Sequence, residues 1–389
     1  MKRRCVGIIS FIWMLSLLTG CFSPPIPEID TGNQRSAVTP IRALDNEFTD
    51  GYYRTALPYY SSPTRGLIFS HINNSRSRAG NRFDIEELEL SLMRAATDFF
   101  DPDDFYFQDG QYLSRDLVSQ LLRPEGSPIG EFPDIGLNPA IGTTVTVNNE
   151  TIESTEDQPI HYLSYLLEQN FVTIDEDGER ILEGVSIGLA LNPYVQNNLE
   201  MNDSELIAEG ERIAAALIER LQEQEELAEV FESVPIMIGL YILESSTSVV
   251  PGRFVAKTLI PGNSWTLSNW GAVEERTYLV DSRITEVDLE LVEQFNYFQN
   301  TINEFYSHHH GIIGMAQFID NNLYRLEITV NVTFYGLGEK LTFHQLVAEL
   351  IAEFSPNYDV TVIVRASDEI YGTVKRSPNG EVTVQRYSW

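Results

Sequence analysis

Gly184-Val185-Ser186-Ile187-Gly188-Leu189-Ala190-Leu191-Asn192-Pro193 is an apolar run of strand length, stopped by a turn dipeptide. The segments after it decide the fold. A helical pattern opens at Asp203 and keeps Leu206, Ile207, Ile213, Leu217, Leu221, Ala228 and Phe231 on one face. Two further β-like runs come next, Ile236 to Leu243 and Phe254 to Leu259. The order is strand, helix, strand, strand. Leu326–Phe334, Thr342–Phe354, Val360–Val364 and Tyr371–Lys375 repeat that order. No residue-level identity joins the two series, so a duplicated unit competes with chance recurrence of a common motif.

Working outward, Val172–Ile174 and Arg180–Leu182 flank Asp175-Glu176-Asp177-Gly178, a hairpin signal, and Val382–Gln385 adds a late strand. Asp84 and Glu87 have capping-box spacing, with Phe83 and Leu88 as the staple. Leu88, Leu92, Ala95, Ala96 and Phe99 then line a helix face. Ser114 caps a short helix carrying Leu117, Val118, Leu121 and Leu122. Thr285 starts another, with Val292, Phe295, Phe298, Ile302 and Phe305 on its apolar side. Thr342 and Gln345 form a second capping box, stapled by Leu341 and Leu346, and Pro356 marks that helix's end. The expected class is α+β (mixed α/β). It divides into three regions: 46–170 α-rich, 171–282 central α+β, and 283–389 C-terminal α+β.

Composition narrows the function. Fifty-seven acidic residues against 26 basic ones give a net charge of −31, which repels phosphate backbones and argues against a nucleic-acid partner. At 43% hydrophobic the chain has enough apolar material for a sizeable core. Its two cysteines are Cys5 and Cys21, so the body has no disulfide framework and no cysteine-based metal site.

The N-terminus reads as an address. Lys2-Arg3-Arg4 precedes an apolar stretch from Val6 to Leu18, the build of a signal peptide for residues 1–20. Leu18-Thr19-Gly20-Cys21 closes it in the pattern of a bacterial lipobox. Cleavage between Gly20 and Cys21 would leave Cys21 as the lipidated N-terminal residue. Two acyl chains on that thiol suffice for stable anchoring. Prolipoprotein diacylglyceryl transferase and signal peptidase II would be the maturation partners, and the membrane the lasting one. Loss of Lys2, Arg3 and Arg4 takes the net charge from −31 to −34. Residues 21–45, with Pro24, Pro25, Pro27 and Pro40 and no hydrophobic periodicity, read as a flexible tether.

An ordered series of segments carries a family resemblance. It runs through Tyr52-Tyr53-Arg54-Thr55-Ala56-Leu57-Pro58-Tyr59, Ser61-Ser62-Pro63-Thr64-Arg65-Gly66-Leu67 and Asn81-Arg82-Phe83-Asp84-Ile85-Glu86-Glu87. It continues with Leu92-Met93-Arg94, Phe107-Gln108-Asp109-Gly110-Gln111-Tyr112-Leu113, Gly136-Leu137-Asn138-Pro139, Gly184 to Asn192 and Val250-Pro251-Gly252. Together these resemble the CamS family, the sex-pheromone precursor lipoproteins of Gram-positive bacteria, from the lipobox to about Lys375. The resemblance implies that the released signal peptide can be trimmed to a short hydrophobic peptide within Phe11–Gly20. Every cleaved lipoprotein sheds such a peptide, so inert debris is the competing outcome.

Candidate chemistry in the body is sparse. Gly184-Val185-Ser186-Ile187-Gly188 matches G-x-S-x-G in form, but Leu189-Ala190-Leu191 prolongs the run where a nucleophile elbow needs a helix, so a buried strand is the ordinary reading. Gly336-Leu337-Gly338 lacks a third glycine and reads as a turn before the Thr342 helix. His308-His309-His310 is a histidine run whose consecutive side chains diverge, and it reads as a polar helix end. Asp101, Asp103, Asp104 and Asp109 miss the EF-hand spacing, with Tyr106 where glycine is required. Glu219, Glu223, Glu225, Glu226 and Glu229 read as a solvated face. Tyr52, Tyr53, Tyr59 and Tyr60 with Arg54 and Arg65 suit either core packing or a peptide- or glycan-recognising surface. The sequence thus points to a non-enzymatic lipoprotein without cofactor or metal, anchored on the extracytoplasmic face of the cell membrane. The alternative is a cell-envelope ligand-binding protein or enzyme acting on peptide or wall material.

Overall fold

The computed structural model describes residues 53–73, 81–82, 84–127, 134–196, 199–306, 309–366 and 369–387, all within one compact unit, Arg42–Trp389. The signal peptide, the lipobox Leu18–Cys21, the tether, Tyr52, Phe83 and His308 lie outside the described residues.

The first lobe is built on a seven-stranded sheet. Its strands, in chain order, are β1 (Arg54–Thr55), β3 (Tyr106–Asp109), β6 (Leu163–Ile174), β7 (Arg180–Leu191), β8 (Ile236–Ile242), β10 (Arg253–Ile260) and β11 (Gly271–Ala272), and they lie in that same order across the sheet. The helices of this part are α1 (Pro63–Asn73), α2 (Ile85–Ala96), α3 (Arg115–Leu121), α4 (Asp203–Gln222) and α5 (Glu225–Phe231). Short pairs β2 (Asn81–Arg82) with β9 (Glu244–Ser245), and β4 (Thr144–Val147) with β5 (Glu150–Glu153), stand apart from the main sheet. The second lobe is a six-stranded sheet ordered β12 (Glu275–Leu279), β13 (His309–Ile319), β14 (Asn322–Val332), β15 (Asp359–Ala366), β16 (Glu369–Arg376) and β17 (Val382–Arg386), with helices α6 (Leu289–Phe305) and α7 (Leu337–Ala352). The class is α+β.

The repeated order is a repeated topology. β6 and β7 form an antiparallel hairpin, α4 and α5 cross over to β8, which lies parallel to β7, and β10 returns antiparallel. β13 and β14 form the equivalent hairpin, α7 crosses to the parallel β15, and β16 returns antiparallel. The unit is therefore one strand longer at its start than the sequence pattern suggested.

The two copies are covered differently. Every residue of β8 is buried, because one face packs on Leu206, Ile213 and Leu217 of α4 and the other on Leu88 and Leu92 of α2. A strand sandwiched in this way reads as a continuous apolar run. β14 and β15 instead alternate, with Leu326, Ile328, Val330, Val360 and Val362 turned toward Phe295 and Ile302 of α6 and Phe343 and Val347 of α7. Their other face carries polar residues such as Thr329 and Thr361, both partly exposed.

Several boundaries differ from the sequence reading. The division at 170/171 falls inside β6, so the first two regions share one sheet. β6 escapes the strand signal because Ser164, Glu168, Gln169 and Asn170 interrupt its apolar residues, although all four are buried. The helical pattern from Asp203 to Phe231 is two helices. Gln224 is extended, and Glu225 and Glu226 fall in the first turn of α5, where the helix dipole favours negative charge. α6 starts at Leu289, because the Asp288 carboxylate accepts the Leu291 N–H at 2.9 Å, while Thr285 only closes a 3₁₀ turn. Phe305, expected on the buried side of α6, is 56% exposed. α7 begins at Leu337, not Thr342, because Glu339 folds back to accept the Tyr335 N–H at 2.7 Å. His309 and His310 open β13 rather than closing a helix.

Close approach explains one glycine. A Cβ on Gly184 would run into the Phe100 ring, which stacks on Phe171 at 4.4 Å and has no room to retreat. Gly184→Ala should therefore cost about 3 kcal/mol of unfolding free energy. Gly66→Ala, on an exposed helical position with nothing within 4 Å of the new methyl, should instead stabilise by about 0.5–1 kcal/mol. Urea unfolding of both variants checks the opposite signs.

Candidate functional site

Helix α2 has two working faces. Leu88, Leu92, Ala95 and Ala96 are buried against the first sheet. Glu87, Ser91 and Arg94, at spacings of four and three, form a polar stripe on another side. That stripe faces the second lobe.

The capping box is half realised. Asp84 accepts the Glu87 N–H at 3.2 Å, as the spacing predicts. The Glu87 carboxylate accepts instead from Ser91 Oγ (2.9 Å), Gln317 Nε2 (2.8 Å) and Arg325 Nη2 (3.2 Å). Arg94 donates to Ser91 Oγ at 2.8 Å and to the Glu275 carboxylate at 2.9 Å through Nε, with its guanidinium 5.5 Å from the Tyr324 ring centre. Glu275 opens β12, Gln317 lies on β13 and Arg325 on β14, so one helix is bonded to three strands of the other lobe. Glu87 is 9% exposed, Glu275 5% and Gln317 4%. Burial at that level costs several kcal/mol per ion unless the charge is met, and here Ser91, Gln317 and Arg325 donate to Glu87 and Arg94 donates to Glu275. Beside the junction, Ile207, Arg253, Glu274, Arg276 and Phe318 line a cleft of about 410 Å³.

A second buried carboxylate holds the approach to the first sheet. Glu168 accepts backbone N–H groups from Gln111 (2.9 Å), Tyr112 (3.0 Å) and Leu113 (2.7 Å). Burial pushes its carboxyl up, and these N–H groups pull it back. Gln111 in turn accepts the Tyr59 N–H at 3.1 Å and donates to the Tyr60 carbonyl at 2.9 Å.

The structure separates the tyrosines and arginines that the sequence grouped. Tyr53 is 3% exposed, bonded to the Phe100 carbonyl and packed on Phe171. Tyr59 and Tyr60 are exposed, and Arg180 covers the Tyr59 ring at 4.3 Å. Arg54 lies over Tyr106, and Arg65 pairs with Glu89 at 2.6 Å. Ser186 is fully buried mid-strand and donates to Gln169, so no reactant reaches it. His310 Nε2 pairs with Thr333 Oγ1 at 2.8 Å. Asp101 accepts the Asp103 N–H inside its own turn. Glu219, Glu223, Glu225, Glu226 and Glu229 are all exposed. Gly336 is the N-cap of α7. Among the described residues no group of three His, Asp or Glu side chains forms a metal site. The junction itself was not visible in the sequence, since Glu87 there looks like an ordinary capping residue and its partners lie some 230 positions away.

Fold and junction together define a two-lobed α+β protein with a duplicated hairpin–crossover unit, its lobes joined by a buried ionic network on one helix. Comparison with known proteins makes this specific. The family model for the CamS sex pheromone cAM373 precursor matches residues 59–381, and the chain belongs to that family. A sex pheromone precursor from Lactobacillus salivarius shares the fold with a TM-score of 0.72 at 23% identity, covering 89% of this chain and 98% of its own. The C-terminal domain of the sex pheromone staph-cAM373 precursor from Staphylococcus aureus does so with a TM-score of 0.64 at 21% identity, covering 80% and 98%. No curated protein sequence matches the chain.

Truncating Glu87 would leave Arg325 and the Gln317 amide unpaired at the junction. Glu87→Ala should lower unfolding stability by about 3 kcal/mol, whereas Glu89→Ala, breaking a half-exposed pair with Arg65, should cost under about 1 kcal/mol. Denaturant titration compares the two. Glu89, Glu168, Glu244, Glu275 and Glu327 all titrate above their ordinary value of 4.5, chiefly because burial disfavours the charged form. The folded state then holds more protons than the unfolded state above pH 4.5, so these groups lose stability as pH rises through their folded values. The thermal midpoint should be lower at pH 8 than at pH 5.5, and the reverse order would contradict the assignment.

Proposed function

We propose that this chain is an exported lipoprotein precursor that does two jobs. The apolar segment after Lys2-Arg3-Arg4 directs export, prolipoprotein diacylglyceryl transferase lipidates Cys21, and signal peptidase II cuts after Gly20. The released peptide, trimmed within Phe11–Gly20, is the source of a conjugation-inducing pheromone. The lipidated body stays on the extracytoplasmic face of the cell membrane and acts there by binding rather than by catalysis. The observation that carries this reading is Leu18-Thr19-Gly20-Cys21 at the end of a charged-then-apolar leader, in a member of a pheromone-precursor family. Among the described residues no helix is long and apolar enough to cross a membrane, and the cleaved chain carries a charge of −34 once Lys2, Arg3 and Arg4 are removed from −31.

Cys21→Ala should abolish incorporation of labelled palmitate and move the protein from the detergent phase to the aqueous phase on phase partitioning. Unchanged partitioning would overturn the anchor. A synthetic peptide ending at Gly20 should induce conjugation in responsive cells, and mass spectrometry of culture supernatant should find it. Silence in the conjugation assay would overturn the pheromone half alone.

A further inference from the structure

Strand β12 is an edge of the second sheet, and its pairing with β13 decides which way its backbone faces. Just outside it, the Val280 N–H bonds to the Gly314 carbonyl and the Asp320 N–H to the Glu274 carbonyl, both at 2.9 Å. Arg276 and Tyr278 share that register, so they are bonded inward, toward β13. In an antiparallel ladder the alternate residues turn their N–H and C=O the other way. Thr277 and Leu279 therefore present both groups at the open edge, where no partner among the described residues takes them.

A groove of about 450 Å³ runs along that edge. Thr277, Tyr278 and Leu279 all line it. Consecutive strand residues point to opposite faces, so a groove touching all three lies at the edge and not on one face. Val249, 45% exposed, and Val250 wall it on the side of Thr277, since the adjoining Pro251 meets the sheet's outward face beside Thr277 and Gln317. Ile284 walls it on the side of Tyr278, in the core cluster that Tyr278 packs against. The other edge of this sheet, β17, differs. Its residues 383–386 are exposed, so a strand added there would meet water on both faces.

Open ladder groups between two apolar walls form a template for an extended peptide. The walls also select its side chains, because a strand covered on both faces requires an unbroken apolar run and one solvated on a face alternates. Charge narrows the choice. The chain carries −31 overall, which disfavours an acidic peptide, and the two charged residues of the groove, Asp281 and Arg283, bond to each other at 2.9 Å. Phe11-Ile12-Trp13-Met14-Leu15-Ser16-Leu17-Leu18 is a run of the required kind, uncharged and free of proline.

We propose that the groove beside β12 binds the apolar leader segment Phe11–Gly20, cut from a copy of this chain, as an added strand. Thr277 and Leu279 supply the backbone bonds, and Val249, Val250 and Ile284 cover the side chains. The anchored body is then a reservoir for the peptide that its own maturation releases. The source of the peptide rests on the leader reading above, and the groove does not.

Fluorescence anisotropy of a labelled Phe11–Gly20 peptide against the chain 21–389 carrying Cys21→Ala tests the groove without detergent, and this chain keeps the whole compact unit Arg42–Trp389. The peptide should bind saturably and be displaced by its unlabelled form. Thr277→Pro removes an edge N–H that β13 does not use, so it should abolish binding with a nearly unchanged thermal midpoint. Val249→Lys, at an exposed position, should weaken binding about tenfold or more, because it sets a charge in an apolar wall. That variant decides the matter even if Thr277→Pro is unstable. Methylating the peptide's amide nitrogens at alternate residues separates pairing from adhesion, since one phase should block binding and the other spare it. No saturable binding, wild-type affinity in Val249→Lys, undiminished binding of both methylated peptides, or equal binding of a peptide alternating leucine with glutamate would each overturn the proposal. The leader reading keeps its own test, the peptide in culture supernatant, so the two failures are told apart.

Discussion

The structure depends on one helix serving two masters. α2 gives Leu88 and Leu92 to the first sheet and Glu87 and Arg94 to the second lobe, so the lobes are joined by a rigid element rather than by a flexible connection alone. A buried charge is a liability unless its geometry is complete, and removing either partner exposes the cost. Here that liability gives orientation. Glu87 reaches Gln317 and Arg325 only when β13 and β14 present both to the same point, so the ionic contacts select one placement of the second sheet. An apolar contact of equal area would tolerate sliding. The directional bonds do not.

The parts legible in the sequence are those governed by local physics. Asp175 to Gly178 makes its turn with its own residues: Asp175 Oδ1 accepts the Asp177 and Glu179 N–H groups, and Gly178 takes φ +81°. β8 is legible because sandwiching demands an unbroken apolar run. The strand-helix-strand-strand order could be found for the same reason, since each element carries its own period. β6 could not be read in full, because its polar residues are justified by partners elsewhere, Glu168 by the 111–113 backbone and Gln169 by the Glu89 carbonyl. The start of α7 was hidden by a better-looking cap at Thr342, whereas Glu339 supplies the working one from inside the helix. At the junction the sequence shows a capping box, and only the tertiary structure shows that its glutamate is used elsewhere.

The duplicated unit shows how one topology accepts two environments. In the first copy β8 and residues 184–191 of β7 are buried on both faces, and in the second β14 and β15 alternate, although strand order and sense are the same. Extra elements make the difference. α2, with Ile68 of α1 and Phe100, covers the first sheet's second face, and no described element covers the corresponding face of the second sheet beyond its contact with α2.

The way the chain enters the fold has a mechanical meaning. β1 is only Arg54 and Thr55, paired in parallel with Tyr106 and Phe107 at the edge of the first sheet and continued by one more bond from the Ala56 N–H to the Phe107 carbonyl. Among the described residues, tension applied from the N-terminal side would meet the Tyr53 ring first, wedged against Phe171 of β6 with its hydroxyl on the Phe100 carbonyl. The entry is thus an aromatic bolt backed by a short strand, and a pull has to free both before it draws on the chain beyond Ala56.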